Sequence, residues 1–248
     1  MSDWGKGAKN NTIGWGQGAC DNTIGWGTSQ KDNNSWSGDT DISGCSGAAG
    51  LAQIDNLNSM SFDGASDFID CGNDSSLSIS GDLTISAWLY IDAHKNYNGV
   101  VSKISSTDRN YEILFRSTGN VSFYTQATGG TLDFTTSTTI IPINTWANII
   151  ITVDSGVTNG TKFYFNGVQD TTTGTHTVVG NTANLNIGRR TTNSFYMNGK
   201  IDEVGIFNVA LTEAEILSIY NATEVVDGVN KTADLSQLTT PPIAWYRM

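Results

Sequence analysis

Between Gly199 and Asn221, in GKIDEVGIFNVALTEAEILSIYN, a strand pattern gives way abruptly to one short helix. Val204, Ile206 and Val209 alternate with Gly205 and Asn208, the period of a half-buried strand. Leu211, Ile216, Leu217 and Tyr220 then recur at helical spacing. Thr212 stands where an N-cap belongs and Glu215 follows three residues on, a capping box in which each side chain satisfies a backbone N–H that the first turn leaves unpaired. One lone helix closing a long run of strands restricts the fold far more than composition does.

The strands precede it at short intervals: 59–62, 68–71, 83–91, 99–104, 111–116, 121–126, 131–137, 146–154, 161–165, 168–173, 185–189 and 199–207. In LTISAWLYID, Leu83, Ile85, Ala87, Leu89 and Ile91 share one face while Thr84, Ser86, Trp88 and Tyr90 share the other. Both faces carry apolar or aromatic groups, as a central strand covered on both sides requires, so Trp88 and Trp146 are expected in the core. Asn166-Gly167 lies between two alternating runs and marks a hairpin. The reading is all-β: a two-sheet antiparallel jelly-roll sandwich with one short C-terminal helix, plus an extended N-terminal repeat segment.

That segment covers residues 1–45. GAKNNTIGWG is followed by GACDNTIGWG, and Trp4, Trp15 and Trp26 recur at a constant step of eleven. Units this small cannot cover their own indoles. An intermolecular core built on Trp4, Ile13, Trp15, Ile24 and Trp26 would cover them; a flexible Gly/Asn linker with exposed Trp is the alternative. Residues 46–57 read as a linker, 58–222 as the sandwich, and 223–248 as a second linker whose Ile243 and Trp245 either open a further domain or return to the same sandwich as an edge strand.

The charge of -11, from 24 acidic against 13 basic residues, disfavours nucleic acid as a partner. No run of about 18 apolar residues is long enough for a membrane span, and the N-terminus has no apolar signal core, so no signal peptide or transmembrane segment is expected. The three cysteines, Cys20, Cys45 and Cys71, match no zinc spacing and are read as free thiols, with a Cys45–Cys71 disulfide as the alternative. His94 and His176 fall in polar contexts that suggest solvated loops.

Taken in order, SFDGASDFIDC, LTISAWLYID, TWANIIITVD, FYFNGVQD, LNIGRR and GKIDEVGIFNVALTEAEILSIYN resemble the successive signatures of the laminin G-like jelly roll, of the concanavalin A-like lectin and glucanase superfamily. The resemblance covers about Asn58 to Ala222. It implies two curved sheets of six or seven strands each, and it implies a fold rather than an activity. It also implies a structural Ca²⁺ between the first strand and the last, on the matching positions Asp63, Gly64 and Asp202; otherwise Asp63 caps a turn and Asp202 makes a strand-end hydrogen bond. No cofactor is required. The Gly/Asn/Trp repeats resemble segments near the start of bacteriophage virion proteins, which precede lectin-like domains.

The glucanases of that superfamily use paired carboxylates at even spacing along one strand. No strand here has them: Glu112 stands alone, and Asp202 and Glu203 are adjacent and so face opposite ways. No nucleophile elbow or phosphate loop occurs, so no enzyme is expected. Glycan binding needs aromatic rings beside polar and charged groups, and Tyr97, Arg109, Tyr111, Tyr124, Arg189 and Tyr196, with Asn98 and Arg190, are candidates by type. The leading reading is a phage virion surface protein, a fibre, decoration or receptor-binding component, that binds host glycans and assembles as a homotrimer through residues 1–45. A purely structural decoration and a glycan-cleaving enzyme are the alternatives.

Overall fold

Alternation with period two places every second side chain of a strand on the same face, and that periodicity builds both sheets. The computed structural model describes residues 51–95, 97–190, 195–222, 224–226 and 229–248. The repeat segment, with Trp4, Ile13, Trp15, Ile24 and Trp26, lies outside the described residues, as do Cys20 and Cys45. Strands are numbered β1 to β18 in chain order.

One sheet has seven strands, in the order β11 (Val168–Gly174), β10 (Thr161–Phe165), β9 (Trp146–Val153), β4 (Leu83–Ile91) and β15 (Asn198–Phe207), with β2 (Met60–Asp63) and β18 (Ala244–Tyr246) both on β15. The other has six, in the order β3 (Ile69–Asp70), β12 (Leu185–Ile187), β5 (Asn98–Ile104), β6 (Arg109–Phe115), β7 (Asn120–Gln126) and β8 (Asp133–Ile140). All pairings are antiparallel. Each strand expected from the sequence is present, with its ends shifted by a few residues at most. A small sheet joins β1 (Gln53–Asp55), β17 (Val229–Ala233) and β16 (Glu224–Val226), and β13 (Arg189–Arg190) pairs with β14 (Phe195–Tyr196).

The main core lies between the large sheets. Leu83, Ile85, Ala87, Leu89 and Ile91 of β4 belong to one buried cluster with Tyr111, Ile113 and Phe115 of β6 and Leu185 and Ile187 of β12. The opposite face of β4 is covered too. Thr84 Oγ1 donates to the Val209 carbonyl at 2.7 Å and accepts from Leu211 N–H at 2.9 Å, and this fixes the chain as it leaves β15 for the helix α1 (Glu213–Asn221). Leu211, Ile216 and Ile219 there form a second cluster with Ile150, Tyr164 and Phe207 of the sheet.

The sandwich keeps some expected residues out of its core. Leu217 is 38% exposed, because α1 turns Ile216 and Ile219 inward instead. Trp146 is 37% exposed on the same outer face, edge-on to Tyr90, and Trp88 is half-buried, stacked on Tyr220 with centroids 6.2 Å apart. Neither histidine is a solvated loop residue. His176 is buried with its ring edge-on to Phe123, and that burial pushes its pKa down to about 4. His94 is half-buried, with Nε2 2.9 Å from the Ile141 carbonyl oxygen. Cys71 is a free, half-buried thiol.

Past the helix the chain returns to the sandwich. Ala244–Tyr246 pairs with Val204–Ile206 of β15. The Trp245 indole N–H donates to Glu203 at 2.6 Å and the Met248 N–H to Asp202 at 3.1 Å. Gln53–Asp55, within the expected linker, pairs with β17.

The capping box is formed in full: Thr212 Oγ1 accepts from Glu215 N–H at 3.3 Å, and Glu215 Oε2 accepts from Thr212 N–H at 2.8 Å. Thr212→Ala is expected to lower stability by about 1 kcal/mol in urea unfolding, with the unfolding slope unchanged. A variant as stable as the parent would show that packing alone holds α1.

Candidate functional site

Burying Tyr111, Ile113 and Phe115 between the sheets turns the intervening residues of β6 to the outer face of the six-stranded sheet. Glu112 is the central one. Cross-strand register aligns it with Ser102 of β5 on one side and Tyr124 of β7 on the other, and extends the row to Asn186 of β12 and Phe134 of β8. This row crosses five strands.

Glu112 is wholly buried and lies between two guanidinium groups, with Arg109 Nε 3.0 Å from Oε2 and Arg190 Nε 3.1 Å from Oε1. The distances are those of ion pairs, and the N–H groups are poorly aligned with the carboxylate oxygens for hydrogen bonding. Ser102 Oγ, one strand away, is buried without a hydrogen-bond partner. Natural proteins leave few such groups unsatisfied, and clusters of them call for an explanation. Burial pushes the Glu112 carboxyl up to about 7, against the opposing pull of Arg190 and Arg109.

A closed circuit of side chains surrounds this centre. The Arg190 guanidinium stands 5.6 Å from the Phe195 ring centroid, Phe195 packs on Tyr97 at 5.1 Å, and Arg116 lies over Tyr97 at 5.0 Å. Arg116 Nη1 donates to the Tyr124 hydroxyl at 2.6 Å, and Tyr124, opposite Glu112 in the sheet, stacks on the 57% exposed Phe134. Arg109 also donates to Gln126 Oε1 at 2.8 Å. Beside the circuit, Arg189 donates from Nε to Asn186 Oδ1 at 3.1 Å and lies flat on the Phe68 ring, 3.4 Å from its centroid. The arginine pair crosses β5 at Gly99, where a Cβ would overlap the Arg189–Arg190 peptide; only glycine lets that strap approach so closely.

Of the residues expected to contact a ligand, Tyr97, Arg109, Tyr124, Arg189 and Arg190 meet on this face. Tyr196 is half-buried in β14, opposite Arg189. Tyr111 is elsewhere: its parity in β6 sends it into the core, where its hydroxyl donates to the Leu77 carbonyl at 3.0 Å. Asn98 is buried, with its amide nitrogen 3.4 Å from the Ala93 carbonyl. Glu112, Arg116, Phe195 and Phe68 were absent from the expected set. An acidic residue flanked by Tyr111 and Ile113 is the signal that would have found Glu112.

Of the residues matched to a structural Ca²⁺, Asp63 and its neighbour Gly64 are not brought together with Asp202. Asp63 spends Oδ1 on the N–H groups of Ala65, Ser66 and Asp67 and Oδ2 on the Ser66 hydroxyl. These bonds hold its pKa well below the usual carboxylate range. Asp63 lies opposite Asn198, four residues along β15 from Asp202, or about 13 Å at strand rise. Asp202 instead accepts from Glu203 and Met248 N–H groups. Among the described residues, no group of three or more His, Cys, Asp and Glu side chains could hold a metal ion.

A laminin G-type profile described as the Concanavalin A-like lectin/glucanases superfamily matches residues 63–217. No curated protein sequence matches the chain. Several solved structures share its fold. A Bacteroides ovatus protein described as carbohydrate binding is 15% identical with a TM-score of 0.56, over 80% of this chain and 52% of that one, so the chain spans about half that neighbour's length. The CBM40 domain of the Ruminococcus gnavus IT-sialidase, bound to alpha2,3 sialyllactose, is 12% identical with a TM-score of 0.54, over 69% of this chain and 99% of that one. A heptameric SAP-like pentraxin from Limulus polyphemus is 15% identical with a TM-score of 0.50, over 72% and 96%.

The raised Glu112 value can be tested directly. Between about 4.5 and about 7 the folded protein keeps a proton that the unfolded chain has released, so this group's contribution to stability falls as pH rises through that window. Carbon-13 carboxyl titration should find Glu112 changing near pH 7. The stability of the parent relative to Glu112→Gln should decline from pH 5 to 7. A midpoint near 4 and a pH-independent difference would contradict it.

Proposed function

We propose a glycan-binding function on one premise: the chain belongs to the Concanavalin A-like lectin/glucanases superfamily, whose profile spans residues 63–217. The single observation that carries the reading is the convergence of Tyr97, Arg116, Tyr124, Arg190 and Phe195 around buried Glu112 on the outer face of one sheet. Flat rings offer faces for sugar C–H groups, and guanidinium and hydroxyl groups offer hydrogen bonds to sugar oxygens. Fold neighbours that bind saccharides add support.

The role is binding rather than catalysis. Glycoside hydrolysis calls for two carboxyl groups about 5–10 Å apart, one acting as acid and the other as base or nucleophile. The groups that act on Glu112 are the guanidinium groups of Arg190 and Arg109, and no second carboxyl group is among them.

The finer reading is a surface protein of a phage virion, displayed in several copies through residues 1–45. It rests on the repeated NTIGWG, preceded by Asn or Asp, with its constant eleven-residue step. A trimer would multiply weak single-site affinity through effective concentration.

Glycan-array binding by the full chain should be lost on Tyr97→Ala or Arg190→Ala, with near-UV circular dichroism unchanged; an array response untouched by both would remove this face from the account. Deleting residues 1–45 should convert a trimer to a monomer in sedimentation analysis. The same mass with and without those residues would contradict the assembly role.

A further inference from the structure

The charges on the site face do not cancel. Thirteen of the chain's residues are Lys or Arg against 24 Asp and Glu, yet four arginines, Arg109, Arg116, Arg189 and Arg190, are gathered around the one buried carboxylate of Glu112. Arg109 and Arg190 share that carboxylate. Arg116 and Arg189 do not. Among the described residues neither is in an ion pair, and the carboxylate that acts on Arg189 at longer range is Asp70, opposite Asn186 in the sheet. Each is held by a neutral acceptor and a ring: Arg116 by the Tyr124 hydroxyl and Tyr97, Arg189 by Asn186 and Phe68.

Guanidinium groups fixed in this way are pre-oriented, and little side-chain entropy remains to be lost when an anion arrives. An acidic protein that collects four arginines on a single face attracts negative charge there while its remaining surface repels it. Ser102 Oγ is buried in the same row without a hydrogen-bond partner, while the Glu112 oxygens are taken up by Arg109 and Arg190.

We infer that the saccharide bound on this face is acidic, a sugar bearing a carboxylate or sulfate group that Arg116 and Arg189 receive while its ring packs on Tyr97. The inference rests on the glycan-binding reading above. Planar, multiply donating guanidinium groups match the oxygens of either anion, so both sources share one recognition chemistry.

Calorimetric titration of the full chain with sialyllactose, trigalacturonate and sulfated lactose, each beside its uncharged counterpart (lactose, or the methyl ester of trigalacturonate), separates the cases. At least one acidic saccharide should bind roughly tenfold or more tighter than its counterpart, a gap that narrows as salt shortens the reach of the charges. Which probe binds identifies carboxylate or sulfate as the group received. Arg116→Gln with Arg189→Gln should abolish the preference, and the corresponding lysine variants, which keep the charge, should retain part of it. Equal binding of charged and uncharged sugars would overturn the acidic preference and leave the glycan-binding reading standing. If no saccharide binds and the glycan array is also silent, both fall.

Discussion

A strand that buries Tyr111, Ile113 and Phe115 against an opposing sheet leaves no choice about where Glu112 goes. Everything at the site follows from that parity. Once the carboxylate is fixed on the outer face between β5 and β7, it needs cations, and Arg109 reaches it from its own strand while Arg190 crosses from β13. Gly99 lets the β13 strap lie directly on β5. Arg190 and Phe195 then come in together, and Phe195 brings Tyr97 and Arg116 into contact around the ring.

Such a cluster is a poor means of stabilising a sandwich. Removing a carboxylate and two guanidinium groups from water costs several kcal/mol per ion, and only well-made hydrogen bonds offset that cost. Here the ion pairs are close but poorly aligned, and Ser102 is left unsatisfied beside them. The stability of the fold comes from elsewhere, from the inter-sheet core and from the second cluster under α1. Polar groups kept buried at a cost on one face, while the opposite sheet covers its own outer face with a helix, are the arrangement expected of a surface that meets a ligand.

The fold was largely legible in the sequence because local signals agreed with one another. The alternation in Leu83–Ile91, the Asn166-Gly167 turn and the Thr212–Glu215 box each report short-range physics, and each is present as read. The site was legible in part: residue type picked out Tyr97, Arg109, Tyr124, Arg189 and Arg190, but Tyr111 was misplaced because type was weighed without strand parity. Glu112 was set aside as a lone acid because its partners are 3 and 78 positions away in the chain. Trp146 was assigned to the core from its apolar neighbours, although as the first residue of β9 it stands partly exposed against Tyr90. Short strands such as Ala244–Tyr246 depend on tertiary pairing with β15, and periodicity over so few residues could not decide between an edge strand and a further domain.

The account stands or falls on which face of the sandwich meets a saccharide. Amide chemical-shift mapping during titration of the full chain with a saccharide selected on the array would locate it. The account predicts that the perturbed amides cluster at Ser102, Glu112, Tyr124, Asn186 and Phe195. Perturbations confined to Tyr90, Trp146 and Lys200, on the outer face of the seven-stranded sheet, would contradict it.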